Sequence, residues 1–183
     1  MKAFVTGSTG LLGNNLVREL LEHGHEVKAL VRSLDKASKL FEDLPIEYVV
    51  GDMEDVSGFA GELAGIDVLF HTAAYFREYY QTGEDHWGKL KRINIDGTID
   101  ILKAADAAGV KTAVYVSSSG VLGLKPDGSA GDESTPPHPV TEGNLYFKSK
   151  VLGEAAVEEF TKSHKFPVIQ ILPGAFPFPD SAG

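Results

Sequence analysis

Tyr146 and Lys150 are the residues whose types and spacing suggest chemistry most directly. They lie four positions apart in a segment with a helical pattern, so both side chains share one face of a helix. A phenol normally has a pKa of about 10, and a neighbouring ammonium lowers that pKa because it stabilises the phenolate. The pair could therefore transfer a proton near neutral pH. Because Tyr and Lys often meet at this spacing by chance, the interpretation depends on the rest of the chain.

A glycine-rich turn near the start of the chain has the pattern of an anion site. Residues 3–5 read as a buried strand, and an amphipathic pattern typical of a helix begins within the glycine-rich stretch. A strand, a tight turn and a helix together present unpaired N–H groups and a positive dipole end to an anion. Gly7 would allow the sharp turn, Gly10 the approach of a pyrophosphate, and Gly13 the packing of helix on strand. The candidate cofactor contacts here are Gly7, Ser8, Thr9, Gly10, Leu11, Leu12 and Gly13.

The turn also permits other interpretations. An ordinary strand-to-helix turn can carry three glycines, and their spacing here differs from the G-x-G-x-x-G pattern of many dinucleotide sites. A phosphate loop of the ATP-binding type is disfavoured, because Asn14 and Asn15 occupy the positions where Lys and Ser or Thr are required. A nucleotide site therefore needs support from the ends of the later strands.

The elements that would position these residues alternate along the chain. Strands are predicted at residues 3–5, 26–31, 46–50, 66–70, 112–116 and 168–172. After the first helix, further helices are predicted at residues 35–41, 55–63, 84–108 and 144–163. This alternation predicts an α/β fold, a Rossmann-type doubly wound parallel sheet with helices on both faces. Ligands of such sheets bind beyond the carboxyl ends of the strands, so the residues there are site candidates.

The end of the second strand is informative about a cofactor ribose. Binders of NAD usually place Asp or Glu there, whereas binders of NADP use Arg. This chain has Arg32, whose planar guanidinium suits a 2′-phosphate, although a solvated surface arginine is the alternative. Asp35 is better placed to cap the following helix than to bind a ribose. The sequence therefore favours NADP(H), with NAD(H) as the second choice.

Small and polar residues follow the third and fourth strands. Asp52 could accept a hydrogen bond from an adenine amino group while Met53 packs on the ring, and a simple turn aspartate is the alternative. Ala73 and Ala74 would let the main chain approach a bound cofactor. His71 is interpreted as a packed residue at a strand end. The six histidines show no metal-binding spacing, so no metal site is predicted.

Three serines, Ser117, Ser118 and Ser119, end the fifth strand. Serine at a strand end is often only a cap, and the segment lacks the G-x-S-x-G pattern of a hydrolase nucleophile. The order of the features is more informative than any one of them. The glycine turn, the serines and the pair of Tyr146 and Lys150 each follow the element that would bring them to one edge of the sheet.

Composition and charge exclude several classes of protein. The 183 residues carry a formal charge of −9, which argues against a nucleic-acid partner because such surfaces are basic. The chain has no cysteine, so disulfides and thiolate sites are excluded. No apolar run approaches membrane-spanning length and no leader precedes the first strand, so a cytoplasmic protein without a membrane partner is expected.

Taken in order, these features resemble the short-chain dehydrogenase/reductases of the extended type over essentially the whole chain. The residues that carry the resemblance are Thr6, Gly7, Gly10, Gly13, Asp52, Asn94, Gly97, Thr98, Ser118, Tyr146, Lys150, Pro173 and Gly174. Because of Val31 and Arg32, the chain is most similar to the branch that contains dihydroflavonol reductases and NADP-dependent aldehyde or ketone reductases. Sugar-nucleotide epimerases and dehydratases are near relatives.

The resemblance implies roles for the candidates. Ser118 would bind the substrate oxygen, and Tyr146 would exchange a proton with it. Lys150 would hold the nicotinamide ribose and lower the pKa of Tyr146, while Asn94 would order the fourth helix and a proton-relay water. The cofactor contacts expected beyond the glycine turn are Arg32, Asp52, Met53, Ala73, Ala74, Tyr146, Lys150 and Pro173. The expected reaction is hydride transfer between NADP(H) and a carbonyl or alcohol carbon of a small molecule.

Two other functions stay open. One is a sugar-nucleotide epimerase or dehydratase that retains NAD as an internal oxidant. The other is a non-catalytic dinucleotide sensor or scaffold, which is disfavoured because binding alone does not need both Tyr146 and Lys150.

The same resemblance implies a domain organisation and an oligomeric state. Members of the family continue past Pro173 into a substrate-binding lobe, so residues 1–175 are expected to form the dinucleotide-binding domain. Residues 176–183 would be the truncated start of that lobe, which is largely missing. The helices that carry Asn94 and Tyr146 are expected to pair in a homodimer. Core packing and this interface explain equally well the apolar positions Leu90, Ile101, Leu152 and Val157.

Overall fold

The structure is a computed structural model that describes residues 1–76, 85–137 and 144–174. Its sheet contains the parallel strands β1 (Lys2–Thr6), β2 (Glu26–Val31), β3 (Ile46–Val50), β4 (Val68–His71), β5 (Thr112–Val116) and β6 (Val168–Ile171). Their order across the sheet is β3-β2-β1-β4-β5-β6. The order reverses between β1 and β4, which places a binding crevice outside the carboxyl ends of those strands. The predicted Rossmann-type fold is confirmed.

Helices connect the strands. They are α1 (Leu11–Glu22), α2 (Leu34–Phe41), α3 (His86–Leu90), α4 (Gly97–Ala107) and α5 (Leu145–Ser163). The helix predicted at residues 55–63 is wrong, because two short 3₁₀ turns, Val56–Gly58 and Ala60–Leu63, occupy that segment. Gly58 and Gly61 explain the difference, since glycine weakens an α-helix. Each helix within the described ranges is too short or too polar to span a bilayer.

The long helix predicted at residues 84–108 is instead divided into three parts. A π-helical stretch, Lys91–Asp96, separates α3 from α4, and it contains Asn94. Such stretches are rare and occur frequently at functional sites. The division therefore places Asn94 in an unusual backbone segment.

The cap of α2 also differs from the prediction. The Oγ of Ser33, not the carboxylate of Asp35, accepts the hydrogen bond from the Lys36 N–H, at 3.4 Å. Asp35 lies in the first turn and forms an ion pair of 3.1 Å with Lys39. Ser33 is the better cap because it has the extended backbone that an N-cap position requires.

Apolar side chains pack on both faces of the sheet. On one face, α4 and α5 bury a cluster that includes Phe4 and Leu69, whereas α1 and α2 pack over Val5 and its neighbours on the other. Three residues expected in a dimer interface, Leu90, Ile101 and Val157, are fully buried within the chain, and Leu152 is half-buried. These positions fill the core, so the homodimer stays a prediction without their support.

The face of the sheet that carries Val5 is open at the β6 end. Pairing aligns Val5 with Phe70, Val114 and Ile169, so all four side chains share this face. Ile169 is 55% exposed, and the apolar cluster under α1 and α2 on this face reaches β4 through Phe70 but includes none of the described residues of β5 or β6.

Candidate functional site

The glycine turn after β1 is shaped by its backbone. Gly7 has a φ of +65°, and a Cβ added there would lie 2.7 Å from the Cα of Ala73. The Gly10 N–H donates to the Gly7 carbonyl oxygen at 2.9 Å, and Gly10 precedes α1 without a side-chain cap. The first-turn amides of α1 therefore remain available to an anion.

The residues of the turn divide into an inner and an outer set. Ser8 is buried, and its Oγ donates to the Leu30 carbonyl oxygen at 2.8 Å, which ties the turn to β2. Gly13 is also buried, where a Cβ would lie 2.9 Å from the Cα of Ser8. Four of the predicted contacts are not among the residues that line the pocket described next: Ser8, Leu11, Leu12 and Gly13.

A pocket of about 520 Å³ lies at the carboxyl ends of β1, β2, β3 and β4. The predicted contacts that line it are Gly7, Thr9, Gly10, Arg32, Asp52, Met53, Ala73 and Ala74. Sequence reasoning missed the other lining residues, Leu30, Gly51, Thr72, Tyr75, Phe76 and Ile93. At Gly51 a side chain is excluded, since a Cβ there would lie 2.6 Å from the Phe59 ring.

Asp52 and Arg32 lie at the β2 and β3 side of this pocket. Asp52 is half-buried, and its Oδ1 accepts a hydrogen bond of 3.0 Å from the Glu54 N–H. The turn-aspartate interpretation therefore describes its local geometry, while the carboxylate still borders the pocket. Arg32 is exposed, follows β2 directly and lines the same pocket. These two residues offer one acceptor and one cation to a ligand.

Lys150 lies in the second turn of α5, and its side chain is buried. Its Nζ donates to the Val116 carbonyl oxygen at 3.0 Å and lies 5.6 Å from the Tyr115 ring centroid. The same Nζ is 5.8 Å from the Tyr146 ring centroid. Burial lowers the pKa of Lys150 to about 8, and the charge of Glu154 opposes that shift. The predicted pair is thus brought together, with the ammonium beside the phenol ring.

Ser118 is the N-cap residue of the 3₁₀ turn Ser119–Val121, which follows β5. Its Oγ accepts a hydrogen bond of 3.3 Å from the Gly120 N–H, so it caps this turn. The Phe147 ring packs directly against Gly120, which brings the turn to the first residues of α5. The capping role leaves the Ser118 hydroxyl proton for an acceptor outside the turn. Nearby, Pro173 is half-buried, and its carbonyl oxygen accepts from the Ser119 N–H at 2.9 Å.

Asn94 joins two segments of the site through its side chain. Its Oδ1 accepts from the Tyr75 N–H at 2.7 Å, and its Nδ2 donates to the Tyr75 carbonyl oxygen at 3.0 Å and to Ser149 Oγ at 2.9 Å. Ser149 in turn donates to the Tyr146 carbonyl oxygen at 2.7 Å. The structure thus gives Asn94 a fixing role between the loop after β4 and α5. Sequence reasoning missed Ser149.

The cofactor pocket and the residues on α5 meet at an aromatic contact. Phe76 lines the pocket, and its ring centroid is 4.9 Å from that of Tyr146, in an edge-to-face arrangement. Tyr146, Lys150 and Pro173 are not among the residues that line the pocket, so Tyr146 adjoins it through the Phe76 ring. This arrangement suits a long ligand that extends from β3 to α5.

Comparison with known proteins agrees with this geometry. Residues 3–175 match the sequence profile described as the NAD dependent epimerase/dehydratase family. The chain belongs to this family. It is 44% identical over 131 residues to a putative dihydroflavonol 4-reductase of Synechocystis sp., a match that covers 72% of this chain and 36% of that protein.

Two further relatives extend the comparison. A 3 beta-hydroxysteroid dehydrogenase/Delta 5-->4-isomerase of Mycobacterium tuberculosis is 35% identical over 159 residues, covering 85% of this chain and 42% of that protein. Among solved structures, gox2253 is 34% identical with a TM-score of 0.79, covering 93% of this chain and 50% of that one. The chain thus spans half or less of the length of these relatives.

Proposed function

We propose that this chain is the dinucleotide-binding part of an oxidoreductase that transfers hydride between NADP(H) and a carbonyl or alcohol carbon of a small molecule. The observation that carries the proposal is the contact of Phe76 with Tyr146, which joins the pocket at the glycine turn to the proton-transfer pair. Names of the relatives, a reductase and a dehydrogenase, support the same class of reaction. In this proposal, residues 1–175 form the dinucleotide-binding domain.

Each end of the site has a separate task in this proposal. The amides after Gly7 would bind the diphosphate, and Arg32 would bind the 2′-phosphate of NADP(H). Small residues Ala73 and Ala74 leave room for the cofactor along the end of β4. NAD(H) stays the second choice, because Asp52 at the neighbouring strand end could accept from a hydroxyl or an amino group.

Proton transfer to the substrate would involve Tyr146, Lys150 and Ser118. A bound nicotinamide would supply or accept the hydride. In the reductive direction, Ser118 would donate a hydrogen bond to the substrate carbonyl oxygen, and Tyr146 would give that oxygen a proton. The buried ammonium of Lys150 stabilises the negative charge left on the Tyr146 oxygen. Asn94 would hold α5 in place rather than touch the substrate.

Calorimetric titration with NADPH, NADH and ATP tests the binding part of the proposal. Saturable binding of a dinucleotide, with ATP much weaker, is the expected result because the region between Arg32 and Tyr146 suits a ligand with two nucleotides. Equal affinity for ATP would indicate a general nucleotide site and contradict the proposal. A dinucleotide that copurifies and does not exchange would instead favour an epimerase or dehydratase.

A further inference from the structure

A chain of buried polar side chains lies beneath the site, between β1, β4 and α4. Thr6 and His71 are fully buried, and Thr98 is 1% exposed. His71 Nδ1 lies 2.7 Å from Thr6 Oγ1, and His71 Nε2 lies 3.0 Å from Thr98 Oγ1. Buried hydroxyl and imidazole groups cost free energy when they have no hydrogen-bond partners. The hydrogen bonds among Thr6, His71 and Thr98 therefore have one defined arrangement.

The hydrogen bonds at its two ends determine where each proton lies. Thr98 Oγ1 donates its only proton to the Asn94 carbonyl oxygen at 2.9 Å, so it can only accept from His71 Nε2. Thr6 Oγ1 accepts from the Ala73 N–H at 3.2 Å, which leaves its own proton for His71 Nδ1. His71 is therefore neutral, with its proton on Nε2. The opposite tautomer would leave the Asn94 oxygen and the Thr6 proton without these partners.

The two ends of this hydrogen-bonded network, Thr6 and Thr98, contact different parts of the site. At one end, Thr6 precedes Gly7, and its carbonyl oxygen also accepts from Thr72 Oγ1 at 2.7 Å. At the other end, Thr98 binds Asn94, which holds the loop after β4 and, through Ser149, the Tyr146 carbonyl oxygen. The His71 side chain joins the two threonines.

We infer that His71 is a positioning residue, which holds the glycine turn and the Asn94 segment of the site in fixed relation through Thr6 and Thr98. The inference rests on the proposed function, in which the glycine turn binds a dinucleotide. His71 lies beneath the pocket and does not line it. Its effect on a cofactor is therefore indirect, through the turn at Gly7.

Burial and a neighbouring positive charge keep His71 neutral. Burial lowers the pKa of His71 to about 3, and the positive charge of Lys150 adds to that shift. The Tyr115 ring stacks on the imidazole with centroids 5.8 Å apart. A protonated His71 would donate from both nitrogens, and the Thr6 hydroxyl proton would then lose its acceptor. The arrangement is thus stable across the ordinary working range of pH.

Nitrogen NMR of the histidine side chains tests the tautomer without any ligand. The protein labelled with ¹⁵N-histidine should show one imidazole with a protonated Nε2 and a bare Nδ1, whose shifts stay constant from neutral pH to about pH 5. The Thr98→Val variant identifies this signal, because its Nε2 resonance should move most. A proton on Nδ1, or titration of that imidazole near its ordinary pKa, would overturn the inference.

NADPH affinity in matched threonine variants tests the positioning role. Thr98→Val keeps the shape of the side chain and removes the hydroxyl, whereas Thr98→Ser keeps the hydroxyl. We expect Thr98→Val to weaken NADPH binding by about tenfold and Thr98→Ser by less than about twofold, since a buried partner is left unpaired only in the first. Thr6→Val and Thr6→Ser should behave in the same way.

A destabilised variant elsewhere separates positioning from general loss of stability. Val27 is buried in the core under α1 and α2 and pairs with Ala3, three residues before Thr6, so Val27→Ala is expected to lower stability alone. Its NADPH affinity should equal that of the unmodified protein. The inference is overturned if Val27→Ala and Thr98→Val weaken binding equally, or if Thr98→Val binds normally. Failure of the unmodified protein to bind any dinucleotide would instead overturn the proposed function, and the NMR result would still decide the tautomer.

Discussion

The Nζ of Lys150 donates a hydrogen bond of 3.0 Å to the carbonyl oxygen of Val116, at the end of β5. This contact holds an ammonium group in a position that is only 3% exposed. Val116 accepts one of the three ammonium protons, and the Nζ lies 5.8 Å from the Tyr146 ring centroid. The fold therefore holds a buried charge beside the Tyr146 ring.

Removing this charge should stabilise the protein while it destroys the site. Burial lowers the pKa of Lys150 from 10.5 to about 8, so near pH 7 the folded protein carries the charge at a cost. We expect Lys150→Met to raise the free energy of unfolding near pH 7 by on the order of 1–2 kcal/mol. Urea denaturation measures this difference.

The pH dependence of that difference gives the control. Between about pH 8 and pH 10.5 the unfolded chain binds more protons at Lys150 than the folded chain does. Stability contributed through Lys150 therefore rises with pH over this window, and the advantage of Lys150→Met should shrink. An advantage that stays constant up to about pH 10 would contradict the assignment of the cost to this ammonium.

The secondary structure could be predicted only in part from the sequence. Strand, turn and helix around Gly7 followed from local pattern, because an apolar run and an amphipathic segment are each visible within a few residues. The division of the predicted helix at residues 84–108 was not visible, since the side chain of Asn94 takes its partners from Tyr75 and Ser149. Long-range contacts of that kind leave no periodic signal.

The site shows the same limit. Arg32 and Asp52 could be placed at the pocket because both follow strands, and the ends of parallel strands meet at one edge. Phe76 could not, since its contact with Tyr146 joins two segments far apart in the chain. Leu90 and Ile101 could not be assigned from the sequence for a related reason: an apolar residue looks the same in a core and in an interface, and the structure places both in the core.

Gly7 and Gly24 form a matched pair for testing the turn. Both have positive φ, +65° and +74°, but a Cβ at Gly7 would meet Ala73 whereas a Cβ at Gly24 would meet no atom within 4 Å. Gly24→Ala should cost on the order of 1 kcal/mol in stability and leave NADPH affinity unchanged. Gly7→Ala should weaken NADPH binding by more than about tenfold, because the turn must move away from Ala73. Equal affinities in the two variants would exclude a special role for the turn.

Cofactor preference should depend on Arg32. A bidentate contact to a 2′-phosphate is worth about 1.5–3 kcal/mol, or roughly tenfold to a hundredfold in affinity. We expect NADPH to bind more tightly than NADH, and Arg32→Ala to remove most of the difference by weakening NADPH alone. Lys39→Ala on α2, which removes a cation already paired with Asp35, is the control. Calorimetry that gives equal affinities for the two dinucleotides in the unmodified protein would contradict this preference.

Acid should destabilise the protein through His71. Its pKa is lowered from 6.5 to about 3 by burial, so below about pH 6.5 the unfolded chain binds a proton that the folded chain does not. Stability from this residue is complete above the unfolded pKa and declines as pH falls, by about 2 kcal/mol between pH 7 and pH 5. In His71→Asn this decline should disappear, whatever the absolute stability of the variant. A decline of equal size in both proteins, measured by urea denaturation, would assign the effect to other groups.

Tyr146→Phe should separate binding from turnover. The substitution keeps the ring that packs on Phe76 and removes the hydroxyl that would supply the proton. We expect NADPH affinity to change by less than about twofold, and NADPH oxidation with any aldehyde or ketone that the unmodified protein reduces to fall by about 10²–10⁴-fold. Tyr48→Phe, which removes a buried hydroxyl on β3 far from α5, should leave both quantities unchanged. Full turnover in Tyr146→Phe would show that the proton comes from another group, and loss of NADPH binding in that variant would show that the hydroxyl holds the cofactor.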